Sequence, residues 1–224
     1  MSRPKPLVIV GTGEFARLAD QYFTVDSDRE VVAFAAERAH LHGDTFEGRP
    51  AVPLEELEER YPPSEFDAFV ATSATQVNQL RARLYREVKR KGYTCATYVS
   101  SKAAVWPNAV VGENCLITEF NVVQPFATIG NNVFMHSGNL VGHRTVVEDH
   151  VFISSHVVIG GFCRIGASSF LGLNATFNDR TGVARDCVVG SGSLVAKHLG
   201  LEGRVYSGCP ATAIEGLRSV DVTL

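Results

Sequence analysis

Between positions 141 and 160 the chain reads VGHRTVVEDHVFISSHVVIG, which holds three of its seven histidines: His143, His150 and His156. A fourth, His136, stands seven residues before His143. An imidazole near pKa 6.5 can take a proton at neutral pH, and it can also ligate a metal. General base, metal ligand and solvated scaffold residue are therefore the three readings to separate. A second chemical signal is Gly11-x-Gly13-x-x-Ala16, directly after the apolar run PLVIV. Glycines between a strand and a helix let the backbone approach a phosphate at the helix N-terminus. The competing reading is a tight turn that binds nothing.

The elements that must position the histidines are set by a period of six. Every sixth residue from Val105 to Val195 is apolar: Val105, Val111, Ile117, Val123, Ile129, Met135, Val141, Val147, Ile153, Ile159, Ile165, Leu171, Phe177, Val183, Val189 and Val195. Positions four further on are mostly small, Cys115, Cys163 and Cys187 among them, and Gly often follows the apolar residue. Neither a 3.6-residue helix nor an alternating strand gives this pattern, whereas a parallel β-helix does. Three hexapeptides make one triangular coil of 18 residues, so the array predicts about five coils stacked about 4.8 Å apart. In this register none of the histidines takes the inward slot. They are expected on the outside of the prism, where burial would need another subunit.

The front of the chain reads differently. Apolar runs at 6–10, 30–36, 67–72 and 94–99 predict strands, and the segments after GTGEFA through Phe23, at 52–61 and from Gln76 to Lys91 predict helices. That alternation predicts a small parallel sheet with covering helices. About 95 residues make roughly half of a dinucleotide fold, so a mononucleotide-linked ligand is expected rather than NAD. The division expected is 1–99, 100–217 and a tail at 218–224.

Composition narrows the function classes. The chain has 224 residues, is 45% hydrophobic and carries a net charge of −3. Residues 1–98 hold 13 Lys and Arg against 15 Asp and Glu, and the rest hold 8 against 9. Neither half is a basic patch, so nucleic acid is not an expected partner. No apolar run has a membrane helix's length of about 18 residues, and the N-terminus lacks the layout of a signal peptide. Five scattered cysteines without a CxxC suit a reducing cytoplasm.

LVGHRTVVEDHVFISSHVVIGGFCRIGASSFLGLNATF, with VVGSGSLV, GRVYSGCPA and the front VIVGTGEFA, resembles the bacterial hexapeptide-repeat sugar acyltransferases. That group includes N-acetyltransferases of nucleotide-linked amino sugars and sialic acid O-acetyltransferases. The resemblance implies a Rossmann-like domain followed by a left-handed β-helix, a homotrimer, and acetyl-CoA as acyl donor between two β-helices. It places a catalytic histidine at His143. It also places at Gly161 a glycine whose N–H faces the thioester oxygen. The spacing agrees independently, since 161 and 143 differ by one coil of 18. Substrate contacts are expected at Gly11, Thr12, Gly13, Glu37, Ser73, His136, Arg144 and His156. Coenzyme A contacts are expected at Gly161, Leu173, Asn174, Gly190, Ser191, Gly208 and Pro210. Two positions depart from the bacillosamine-type pattern: Arg144 replaces the acid after the catalytic histidine, and His136 replaces an asparagine. Arg144 cannot accept a proton, so a carboxylate orienting His143 would be Glu148, Asp149 or Asp179.

The chemistry expected is direct attack of a sugar amine on the thioester, in a pathway making cell-surface polysaccharide. His143 acts as base, and His156 and His136 border the same groove. O-acetylation is the runner-up. A histidine-bound metal, as in β-helical carbonic anhydrases, fits less well: His136, His143, His150 and His156 are 7, 7 and 6 apart and fall at different offsets of the repeat. No metal is therefore expected. A nucleotide-sugar-sensing module without catalysis is the third reading.

Overall fold

The computed structural model describes residues 4–222. Strand β1 (Leu7–Val10) leads through a turn at Gly11 into helix α1 (Glu14–Asp26), and β2 (Val31–Ala36) follows. A short antiparallel pair, β3 (Thr45–Phe46) and β4 (Arg49–Pro53), comes next, then the one-turn helix α2 (Leu57–Arg60). Strand β5 (Asp67–Val70) and helix α3 (Gln79–Arg90) complete the domain. The strand order is β3-β4-β2-β1-β5, with all neighbours except β3 and β4 parallel. Two sequence expectations change here. The helix expected over 52–61 begins as strand, because Ala51 and Val52 pair with Phe34 and Ala35 of β2. The strand expected over 94–99 divides: Cys95 makes a single bridge to Ala68, while Tyr98–Val99 pairs with Leu116–Ile117.

From there the chain winds as a left-handed parallel β-helix. All sixteen residues of the six-residue series fall on the second position of a two-residue strand, from Ala104–Val105 to Leu194–Val195. Strands pair with the strand 18 residues on, as in Val122↔Leu140 and Leu140↔Val158. The inward residues form one continuous core with Cys115, Cys163 and Cys187 at its corners. The last strand (Thr212–Arg218) turns back antiparallel on Arg204–Ser207. Of the tail expected at 218–224, Ser219–Asp221 makes a short turn, and 223–224 lie outside the described residues.

The three faces of the prism have different fates. One displays Tyr98, Leu116, Phe134 and Phe152, which pack with Leu7, Ile9, Phe34 and Phe69 under the front sheet. That face is covered by the chain's own first domain. A second face displays Ala104, Val122, Leu140, Val158, Thr176 and Leu194, and none of the described residues covers it; Val122 and Val158 are 38% and 40% exposed. The third displays Val110, Thr128, Val146, Arg164 and Gly182.

The corners share a feature that the repeat alone does not announce. Every sixth residue from 114 to 192 has a positive φ, including Asn114, Asn132, Gly138, Asn174 and Gly192. Asn and Gly tolerate this left-handed conformation. Phe120, Phe126, Arg144, His150, His156, Phe162 and Arg180 adopt it as well, at a cost that bulky side chains pay through Cβ crowding.

Candidate active site

His143 follows the open apolar face and sits on the corner leading to the third face. Its side chain is exposed. Its backbone carbonyl accepts from the Phe162 N–H at 2.9 Å. The backbone N–H donates to Gln124 Oε1 at 2.9 Å, and the ring meets Phe162 edge-on at 5.0 Å between centroids. Against the ring, on the coil above, lies Gly161. A Cβ built there would stand 2.5 Å from His143 Cε1 and 2.9 Å from both ring nitrogens. Only hydrogen leaves room for the imidazole, so the 18-residue spacing is a physical contact. Gln124 was not singled out from the sequence, although it lies one coil before Gly142 and coil arithmetic points to it.

The Gly161 N–H donates to Asp179 Oδ1 at 2.7 Å. It is engaged in the chain as it stands, and it reaches a thioester oxygen only if that bond opens. The carboxylates weighed as partners for His143 are likewise committed elsewhere. Glu148 pairs with Arg164 and accepts from the Ala167 N–H at 3.0 Å. Asp149 accepts from the Asn131 N–H at 2.7 Å, and Asp179 holds Gly161. Arg144 lays its guanidinium over Phe126 at 4.6 Å, and Arg180 covers Phe162 in the same way at 4.5 Å. The corner thus carries Phe126, Arg144, Phe162 and Arg180 in alternation up successive coils.

The other histidines lie elsewhere. His156 stands on the corner before the open face, its ring against Gly138, where a Cβ would meet Nδ1 at 2.9 Å. It leans toward the coil below, not toward Asn174 above. His136 opens the same corner, half-buried between Phe15 and Phe152 at 5.8 and 5.0 Å, and burial lowers its pKa. Within one chain, then, His136 and His156 do not border the groove of His143. A separation of 13 residues from His143 to His156 is two corners, not a whole coil. Leu173, Asn174, Gly190 and Ser191 follow the His156 corner up the prism, so these four expected coenzyme A contacts lie across the open face from His143, while a fifth, Gly161, lies against it. Gly208 and Pro210 are exposed at the last coil, where Gly208 O accepts from the Leu194 N–H at 3.0 Å.

His150 corrects the expectation that burial needs a second subunit. It is 8% exposed because α3 of its own chain covers that corner, with Tyr85 at 5.7 Å from its ring. Its Nδ1 faces the Asn132 amide at 2.9 Å, and burial lowers its pKa to about 4. Arg81 of α3 is wholly buried at the same seam. It stacks on Phe134 at 4.2 Å and donates to the carbonyls of His150 and Val151 at 3.1 and 3.3 Å.

The second half of the site lies at the C-terminal ends of β1, β2 and β5. Open parallel sheets bind ligands where neighbouring connections leave in opposite directions, and β1 is flanked by β2 and β5. Gly11 is obligatory there: its φ is +142° and a Cβ would meet Ala71 O at 2.4 Å. Gly13 caps α1 with open space around it. A cavity of about 120 Å³ takes Gly11, Thr12 and Glu37 in its lining. Thr12 also edges a second cavity, of about 270 Å³, with Arg17 and Phe46. Glu37 accepts two bonds from Arg83 at 2.9 and 2.8 Å, which hold its carboxyl below the ordinary value. The Ser73 hydroxyl is bonded to Thr75 at 2.6 Å beside this crevice. Among the described residues no three His, Cys, Asp or Glu side chains converge as a metal site would require, and no helix is long and apolar enough to cross a membrane.

No family model matches the sequence. Several solved structures are similar in fold. A point variant of perosamine N-acetyltransferase from Caulobacter crescentus, in complex with CoA and GDP-perosamine, aligns at 21% identity over 93% of this chain and 96% of that chain, with a TM-score of 0.83. The acetyltransferase domain of PglB from Neisseria gonorrhoeae aligns at 21% identity over 94% of this chain and all (100%) of that chain, also with a TM-score of 0.83. WeeI from Acinetobacter baumannii aligns at 20% identity over 93% and 99%, with a TM-score of 0.77. Over nearly its whole length the chain shares with these proteins one architecture, a small α/β domain docked on a parallel β-helix.

Proposed function

We propose that the chain is an acetyl-CoA-dependent acyltransferase that acetylates the amino group of a nucleotide-linked amino sugar, with His143 as general base. The observation that carries this reading is the His143 imidazole, seated against Gly161 on a rigid corner at the edge of an uncovered apolar face. The nearness of the fold to structures solved with CoA and a nucleotide sugar supports it. In the reaction the amine nitrogen attacks the thioester carbon, His143 takes the amine proton, the C–S bond breaks, and the imidazolium passes that proton to the leaving sulfur, so that coenzyme A departs as its thiol. Positioned general bases contribute about 100- to 10,000-fold. Gly11, Thr12 and Gly13 at the start of α1 hold the nucleotide's phosphates, where a helix N-terminus favours an anion.

The active unit is a homotrimer in the cytoplasm. Two observations support assembly. Ala104, Val122, Leu140, Val158 and Leu194 leave an apolar stripe on the open face, and exposed patches of that kind mark interfaces. Apart from Gly161, the residues expected to hold coenzyme A lie across that face from His143, so one copy's His143 corner meets another's His156 corner only when two open faces pack side by side. His136, Arg144 and His156 then reach the acceptor, and Leu173, Asn174, Gly190, Ser191, Gly208 and Pro210 the donor.

Incubation of purified protein with acetyl-CoA and a panel of nucleotide-linked amino sugars tests the reading. Thiol release and an acetylated product stable to hydroxylamine support it. A hydroxylamine-labile product points to an ester and to O-acetylation. No turnover with any sugar rejects the assignment.

A further inference from the structure

The cavity at the ends of β1, β2 and β5 is a slot with apolar walls, Val10, Leu80 and Leu84 among them, and four polar side chains, Thr12, Glu37, His40 and Thr72, of which Glu37 and Thr72 are of particular kind. Thr72 Oγ1 is buried with no hydrogen-bond partner. A buried hydroxyl left alone is unfavourable and calls for a partner from outside the chain, a water or a ligand atom. The Glu37 carboxylate accepts two parallel N–H bonds, at present from the Arg83 fork at 2.9 and 2.8 Å.

We propose that this slot selects guanine as the base of the nucleotide-linked acceptor, with Glu37 accepting from guanine N1–H and N2–H and Thr72 serving its O6. The inference rests on the nucleotide-linked acceptor proposed above and adds the identity of the base. Two adjacent N–H donors on one edge are the pattern that a carboxylate accepts from Arg83, and guanine repeats it. Uracil and thymine offer one N–H between two carbonyls. Adenine and cytosine set a lone pair beside an amino group, so each would hold an acceptor against the carboxylate. Exchange is easy on the protein side. Arg83 and Glu37 are 47% and 31% exposed, so their pair is weak, and Arg83 already has Glu87 at 3.8 Å to turn to. The ordinary alternative for an acid at this strand end is a bond to the ribose hydroxyls.

Calorimetry on the full chain with GDP, 2′-deoxy-GDP, IDP, UDP, dTDP and ADP separates these cases. GDP is expected to bind at least about 10-fold more tightly than UDP, dTDP or ADP, in line with the discrimination of one two-bond contact to a base. IDP, which lacks the N2 amine, is expected to fall between. Deoxy-GDP is expected to match GDP, and Glu37→Gln to erase the preference. Equal binding of IDP and GDP, or UDP binding as tightly as GDP, overturns the assignment of guanine and leaves the nucleotide site standing. A selective loss with deoxy-GDP assigns Glu37 to the ribose and also overturns it. Failure of every nucleotide to bind rejects the nucleotide-linked acceptor itself, while acetyl transfer from acetyl-CoA to free amino sugars stays measurable.

Discussion

Replacing Gly161 by alanine separates catalysis from folding. The new Cβ would lie 2.5 Å from His143 Cε1 and 2.9 Å from its two ring nitrogens. Carbon contacts settle at about 3.5–4.0 Å, so the imidazole must retreat by about 1 Å. The backbone offers no objection, because the φ of Gly161 is not positive. Nor does the core, because the ring is exposed and can swing outward. A misplacement of about 1 Å costs on the order of 100-fold in rate. Gly161→Ala is therefore expected to lower kcat about 100-fold with its melting temperature little changed. Gly142→Ala is the control. There the Cβ would meet Gly160 C at 2.4 Å and Gly161 N at 2.6 Å, which are backbone atoms that cannot step aside. Overpacking of that kind costs about 1–3 kcal/mol, or a melting point lower by several degrees at about 2–4 °C per kcal/mol. Steady-state acetyl transfer and differential scanning calorimetry read the two effects. Gly161→Ala with nearly full kcat would refute the assignment of the imidazole–glycine contact to the active geometry.

Other outcomes follow from the seams and corners. His150 is held neutral, with its pKa lowered from 6.5 to about 4. The unfolded chain therefore binds a proton first, and His150's share of stability, complete above about pH 6.5, is lost as pH falls toward 4. His150→Asn should flatten urea-melt stability over that window, and an unchanged slope would dispute the burial. Arg81→Ala removes charged hydrogen bonds and the stack on Phe134, and should cost about 3 kcal/mol in urea unfolding; a loss under 1 kcal/mol would show the seam to be held by its aromatics alone. Phe120, exposed with φ of 61°, carries the left-handed penalty, so Phe120→Asn should stabilise by about 1 kcal/mol, read as a higher melting point. Val158→Asp sets a charge on the open face, and sedimentation should find monomers in place of the proposed trimers.

The β-helix was legible because its physics repeats. Each coil buries three aliphatic side chains, so one missed residue could not hide a period of six. The pairing of His143 with Gly161 came with the family resemblance, and whole-coil arithmetic agreed with it. What the period does not see is anything that docks from outside. The burial of His150 comes from Tyr85 and α3, which are remote in sequence. The strand pair at 45–53 escaped notice because two short segments around Gly48 carry no alternation, and Pro50 and Pro53 argue against strand. The left-handed corners were half visible in Asn114, Asn132, Gly138 and Asn174, but Phe and Arg at sister positions masked them. The edges on which His143 and His156 lie required a count of corners as well as coils.

The central claim, that His143 takes the proton from the attacking amine, is tested most directly by steady-state acetyl transfer with His143→Asn at pH 7, alongside calorimetry with coenzyme A. The account predicts that kcat falls about 100- to 10,000-fold while coenzyme A binds as it does to the unaltered protein. A variant that keeps nearly full kcat would contradict it and remove His143 from the chemistry.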